Sequence, residues 1–425
     1  MGGLDIGKVR ASFPSLQSGY IYADNAGGSQ TAQQVIDHIV DYLSNTNVQL
    51  GADYSVGVQS TKRVADGSVA AAVLFNAGSS DEVGYGPSAT LVLENISRAM
   101  DNDINTGDEF IITEEHEANN GPWKRLAQRR GAIVKYWKTV PTSEDNPYSL
   151  VYRTEDLLSL VSSKTRLVAI TGCSNILGTL YPIDDIVKAV RQRAKEVDSP
   201  KVEVCVDCVA YAPHRRIDVQ KWDIDYCVFS LYKVYGAHNA AFYIRTQALT
   251  SSLGSIAHHF LAVDDVPKKI QCGGPGYELV HAASGVIPYL LSITPENSLE
   301  ASFGAIAQHE RLLVQPLLSF LTDKKQYDRG VRVVGKSKVD LSRAPTISFV
   351  VVGQNAMKSK DVVAAFDKEG NIGIRYGHFY AYSLIANAKP ELDPDDGVVR
   401  ISLVHYNTVE EVERIVVVLK DILGQ

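Results

Sequence analysis

The chain has 425 residues, 45% of them apolar and 21% charged. It can therefore bury a large core without disulfide or metal staples, and it is neither disordered nor fibrous. Lysine and arginine number 42 against 49 aspartates and glutamates, a net charge of −7, so no track for nucleic acid is expected.

The opening MGGLDIGKVRASF has no apolar signal segment, and no later run reaches the roughly 20 apolar residues of a spanning helix. A cytoplasmic protein with no membrane partner is expected. Residues 1–20 are expected to pack against the C-terminal part of the chain. The string Gly84-Tyr85-Gly86-Pro87-Ser88-Ala89-Thr90 then precedes an apolar helix over Leu91–Met100. Small residues and hydroxyls at a helix start make an anion cup for a phosphate. The same string fits the dinucleotide fingerprint G-x-G-x-x-A, with Glu114 placed for a ribose. A dinucleotide-dependent oxidoreductase is thus a rival reading.

A strand over Glu109–Thr113 ends at Glu115-His116-Glu117-Ala118-Asn119. An imidazole there can stack on a flat cofactor or be an ordinary hydrogen-bonded histidine. Helices over Trp123–Arg130, Thr154–Val161 and Ile186–Val197 alternate with strands over Ile133–Trp137, Arg166–Thr171 and Val202–Val206. That alternation predicts an α/β fold with a mainly parallel sheet covered on both faces. Ligands then bind beyond the carboxyl ends of the strands. Ser174-Asn175 follows one such end, as a turn or as a donor to a phenolate oxygen.

Asp207 follows the strand Val202–Val206, and Ser230-Leu231-Tyr232-Lys233 closes the strand Asp225–Ser230. Lys233 lies 26 positions after Asp207 (233 − 207), one strand–connection–strand unit, so both leave the same sheet edge. Burial lowers a lysine pKa, and an amine so tuned forms Schiff bases. Pyridoxal 5′-phosphate needs that lysine and an acid facing its ring nitrogen. The plain alternatives are a surface lysine and a helix-capping aspartate. The five cysteines, 173, 205, 208, 227 and 272, are odd in number and irregular in spacing, so neither a disulfide framework nor a metal site is expected.

A further strand is read over Ala240–Arg245, and Gly273-Gly274-Pro275-Gly276 punctuates the chain before its last third. There Pro345–Val352 and Val398–Leu403 read as strands of a smaller α+β unit. Thr408 and Glu411 form a capping box before Val412–Leu423. The expected organisation is an N-terminal segment 1–20, a large domain 21–290 and a small domain 291–425. Arg400 sits inside a strand; its planar fork suits a carboxylate, though an ion pair is its commonest use.

Glu115-His116-Glu117-Ala118-Asn119 with Pro122-Trp123, Ser174-Asn175-Ile176-Leu177-Gly178-Thr179, Val206-Asp207, Ser230–Gly236 and Arg400-Ile401-Ser402 with Tyr406-Asn407-Thr408 occur in that order. Together they resemble the class V aminotransferase family, fold type I, in its cysteine desulfurase-like branch. The resemblance implies that Lys233 holds pyridoxal phosphate as an aldimine and moves protons. It implies that Asp207 keeps the ring nitrogen protonated, His116 stacks on the ring and Asn175 bonds the ring oxygen. Ala89, Thr90 and Ser230 would hold the phosphate beside Tyr232. Arg400 would bind a substrate α-carboxylate, Gly27 would line the substrate side, and Gly274 would complete a neighbour's phosphate site in a homodimer.

Departures from that pattern are equally specific. The segment Arg375-Tyr376-Gly377-His378-Phe379-Tyr380 carries Tyr380 where desulfurases carry their nucleophilic cysteine, and no cysteine follows Cys272. Ala210 and Tyr232 replace a glutamine and a histidine of that branch. Arg375 and Tyr380, with Tyr376, Phe379 and Tyr382, are expected to shape a rebuilt substrate pocket. The altered pattern is similar to pyridoxal phosphate enzymes of fungal specialised metabolism, the loline-pathway cyclase and the ustiloxin-pathway decarboxylative aldolase. It implies an enzyme that acts on an amino acid through an aldimine and quinonoid and forms a C–C or C–N bond. The alternatives are a desulfurase-like C–S lyase, the dinucleotide enzyme, and a binding protein, which would need neither Lys233 nor Asp207.

Overall fold

Seven strands form the central sheet, in the spatial order Val83–Gly86, Ala240–Ile244, Tyr226–Ser230, Glu203–Asp207, Thr165–Thr171, Glu109–Thr113 and Ile133–Trp137. Ala240–Ile244 runs antiparallel to both neighbours; the other pairings are parallel. The computed structural model describes residues 3–260 and 266–424.

Thr165–Thr171, Glu203–Asp207 and Tyr226–Ser230 are buried along their whole length, as strands covered on both faces must be. Alternate side chains feed two separate cores. Phe110, Ile112, Val228 and Phe242 pack on one face with Trp123 and Leu126, while Ile111, Val168, Val204 and Phe229 pack on the other. Cys205 and Cys208 fall into these opposite cores.

A second sheet is antiparallel, in the order Val331–Val334, Thr346–Val351, Val398–Ser402, Arg375–Gly377. The helices Leu299–Leu321 and Val409–Leu423 share its core. The capping box at Thr408 and Glu411 starts the latter. The short strand Ile21–Tyr22 pairs with Ile372–Gly373. Nearer the N-terminus, Phe13 packs edge-on against Tyr235 and Tyr289, and Arg10 donates to the Tyr406 carbonyl and to Glu411.

Three findings were hidden in the sequence. Asp207 is the last residue of its strand rather than the one after it. Val83–Gly86 is a strand, and its glycines serve packing. A Cβ at Gly84 would lie 2.3 Å from the Phe242 ring, and one at Gly86 2.5 Å from Val92. Glu114 is bonded to Asn387 at 2.7 Å. The dinucleotide reading therefore loses its glycines and its acid. Finally, Ser55–Phe75 is a helix that buries mainly small residues, including Gly57, Ser60, Gly67, Ala70 and Ala71, so it shows little apolar periodicity. No described helix is long and apolar enough to cross a membrane.

The loop after Thr165–Thr171 depends on Gly178. Its φ is +65°, and a Cβ there would stand 2.2 Å from the Thr346 carbonyl oxygen. Strain and overpacking together predict that Gly178→Ala destabilises the fold by about 2–4 kcal/mol. A drop of several degrees in the unfolding temperature would show it.

Candidate active site

The carboxyl ends of the parallel strands meet at one cavity. It is lined by Ser88, Ala89, Thr90, His116, Thr171, Cys173, Asn175, Asp207, Ser230, Tyr232 and Lys233, among others. Register explains the meeting, since Thr171 pairs with Asp207 and Asp207 with Val228.

Lys233 closes a short 3-10 turn after Ser230 and is buried. Burial and then the nearby Arg400 charge lower its pKa to about 8, opposed by Asp207 and Asp24. Asp207 is buried as well, and burial pushes its carboxyl up. The Val209 N–H, which donates to Oδ1 at 2.9 Å, and Lys233 both pull it back down. Among the described residues no protein donor reaches Oδ2, so that oxygen remains open to a ligand.

His116 caps a short turn, with the Ala118 N–H donating to Nδ1 at 3.1 Å. This bond assigns the ring proton to Nε2. Burial, then the charges of Lys233 and Arg400, hold its pKa near about 3, so the ring is a neutral flat plate across the working pH range. Tyr380 lies 5.3 Å from it, tilted by 40°.

Ser88 caps the helix Ala89–Ala99 by accepting from the Leu91 N–H at 3.2 Å. The first N–H groups of that helix, at Ala89 and Thr90, have no intrahelical acceptor and suit a phosphate. Asn175 donates one N–H of its amide to the Phe379 carbonyl at 3.0 Å and retains another. The Tyr232 ring stacks on His238 at 5.1 Å and 10°. Gly28 also lies against this ring, where a Cβ would be 3.3 Å away.

The remaining candidates stand outside this cavity. Arg400 is 1% exposed under the Phe379 ring, 3.6 Å from its centroid. It is near enough to depress both Lys233 and His116. Arg375 and Tyr380 are exposed. Gly27 backs onto Asp24 and Arg375. Gly274 lines a separate cavity with Gly86, Pro87 and Leu91.

Three functional neighbours escaped sequence reasoning. Cys173 lines the cavity, but it is buried and its thiol pKa is pushed far up. Its adjacency to the Ser174-Asn175 motif was the available signal. Glu115 is buried, and burial raises its pKa to about 8; Ser174 donates to Oε2 at 3.0 Å and Oε1 has no partner. Asp24 bonds Arg400 at 2.8 Å.

A fold with a lysine and a carboxyl at neighbouring strand ends defines a fold type I pyridoxal phosphate protein. The family model Aminotransferase class-V matches residues 21–415. The chain belongs to that family and is a pyridoxal phosphate-dependent enzyme. It is 41% identical over 424 residues to the Aminotransferase-like protein FGM3 of Gibberella zeae, covering 98% of each chain. It is 31% identical to the Cysteine desulfurase-like protein ustD of Aspergillus flavus, covering 96% of this chain and 88% of that one. Among solved structures, the cysteine desulfurase of Thermococcus onnurineus shares the fold with a TM-score of 0.82 at 21% identity, over 100% of this chain and 99% of that one.

The cavity fits pyridoxal phosphate on its own chemistry: an amine that is partly neutral near pH 8, an open carboxylate oxygen, free helix-start N–H groups and a neutral plate. Only the neutral amine attacks an aldehyde. Capture of added pyridoxal phosphate by cofactor-free protein should therefore accelerate about tenfold per pH unit below the Lys233 pKa and level off above it. Arg400→Gln should move that midpoint upward, because it removes a charge that lowers the pKa. Stopped-flow absorbance over pH 6–10 reads both.

Proposed function

We propose that this enzyme converts an amino acid into a carbon nucleophile and joins it to an electrophile, forming a C–C or C–N bond. Pyridoxal phosphate, when bound, would supply an electron sink for the amino acid's α-carbon.

Lys233 holds the cofactor and carries the proton to and from the α-carbon. Its depressed pKa lets the amine accept and release that proton near neutrality. Asp207 would hold a proton at the ring nitrogen through its open Oδ2. His116 supplies an uncharged face for stacking, while the Asn175 amide bonds the ring oxygen. Ala89 and Thr90, with Ser230 and Tyr232 near them, hold the phosphate. Arg400 would bind the α-carboxylate, and its place on a strand paired on both sides would fix the orientation of the substrate. Gly27, Arg375 and Tyr380 line the approach.

The observation that favours this reading over a persulfide-forming desulfurase is the lack of a competent thiol at the described site. Tyr380 stands beside His116, and Cys173 is a buried, unactivated thiol. Incubation with single amino acids in deuterium oxide should exchange the α-hydrogen of the true substrate. Adding small aldehydes should then give a coupled product by mass spectrometry. Sulfide and alanine from cysteine, without coupling, would sink the reading.

A C–S lyase remains the second reading because one cysteine, Cys272, is exposed beside Gly273–Gly276. If that thiol served catalysis, Cys272→Ser would abolish sulfide release. We also infer a homodimer in which the Gly273–Gly276 turn reaches the partner's phosphate site. Exposed Val40, Leu43, Val56, Val58, Val69 and Val73 on neighbouring helices support it. Sedimentation should give twice the chain mass.

A further inference from the structure

Arg400 is held more firmly than it is satisfied. Its strand is paired on both sides, with Ser348 and Arg375 as register partners. Its guanidinium is 1% exposed and lies on the Phe379 ring. Yet its bonds are few: Nη2 donates to Asp24 Oδ1 at 2.8 Å and Nη1 to the Asn175 carbonyl at 3.3 Å. Nε is buried with no acceptor. Arg343 Nε is likewise buried without an acceptor, so what sets Arg400 apart is its contact with the half-exposed Asp24 and its place beside Lys233 and His116.

Asp24 is placed differently. Its side chain is 24% exposed, and its second oxygen lies 3.4 Å from Nη1 of Arg375, whose side chain is 56% exposed. One carboxylate therefore sits between a buried guanidinium and a solvent-facing one. Gly27 leaves it room, since a Cβ there would stand 2.8 Å from Oδ2 and 3.1 Å from Arg375 Nη1. Asp24 holds Arg400 through a single oxygen. A carboxylate that takes two donors of the fork at once binds more strongly than one that takes a single donor.

We propose that Asp24 is a built-in competitor for the substrate's carboxylate. It occupies Arg400 in the resting protein and yields to the incoming α-carboxylate, passing to Arg375. The inference rests on the reading of Arg400 as the carboxylate binder. It makes Asp24 a specificity-determining residue. Amines and amides, which cannot displace it, are rejected, while amino acids bind with an affinity reduced by the fraction of Arg400 that Asp24 holds.

The test uses holoenzyme and propionate, which has the carboxylate but no amine to react with the cofactor. Calorimetry should show Asp24→Asn binding propionate about tenfold more tightly than the parent, as expected when a mostly occupied site is freed. Arg375→Gln leaves Asp24 in place with only Arg400 to hold, so it should weaken propionate binding. The same change in the Asp24→Asn background should have a clearly smaller effect, because the contact with Asp24 is already gone and only the longer-range Arg375 charge is lost.

Asp24→Asn that binds propionate equally or more weakly overturns the proposal while leaving Arg400 as the binder. So does an Arg375→Gln effect that is as large without Asp24 as with it. Arg400→Gln that keeps full propionate affinity removes the reading of Arg400 and the proposal with it. The cofactor absorbance of each variant confirms a folded holoenzyme.

Discussion

Lys233→Ala should lower turnover of any amino acid by at least about a thousandfold, the scale expected when a positioned proton carrier is removed. The same variant should retain no covalently fixed cofactor after borohydride reduction, which intact-protein mass measures directly. Compared with the parent, both free of cofactor, its unfolding temperature should hold or rise. Burial holds the Lys233 pKa near about 8, below its ordinary value. Below that pH the folded state carries a charge that it disfavours, and removing the amine relieves this. A Lys233→Ala protein with full turnover would end the account of the site, and one that merely unfolds would show a structural role instead. Lys233→Arg adds a second check, since it keeps a cation but no Schiff-base amine.

Asp207→Asn should cost about a hundred- to a thousandfold in kcat, the usual scale for losing one preorganised charge at a reacting centre. KM for the amino acid should change little, because the substrate contact we propose is Arg400 and not Asp207. The physical cause is specific. A carboxylate stabilises a proton on the ring nitrogen opposite it, and an amide of the same shape does not. Asp207 also raises the Lys233 pKa, so the midpoint for cofactor capture should fall below that of the parent. A loss in KM alone, with kcat intact, would contradict this role.

Both predictions concern residues that could be read from the chain directly. Strands such as Glu109–Thr113 and Tyr226–Ser230 announce themselves through short apolar runs, and an acid or amine that follows one lies at a known edge of a parallel sheet. The helix Val409–Leu423 was signalled by its capping box at Thr408. Ser55–Phe75 gave no such signal, because a helix that packs small residues against other backbones has few large apolar positions to count. The glycines of Val83–Gly86 misled for a related reason. Gly84 makes room for Phe242, a residue far along the chain, and that need leaves no local trace.

The sequence by itself predicted an α/β sheet with a lysine and an acid at one edge, and through its family resemblance it implied a cofactor for them and a tyrosine where desulfurases carry a thiol. The first depend on residue type and on periodicities within a few turns of chain, the second on ordered motifs. Only the tertiary structure decided the partners. It set Asp24 on Arg400 across 376 positions, buried Cys173 beside the cavity beyond reach of ionisation, and put Gly274 at a different cavity from Lys233. Hydrogen bonds and desolvation act over a few ångströms in space, and which groups come that close is settled by packing between distant segments.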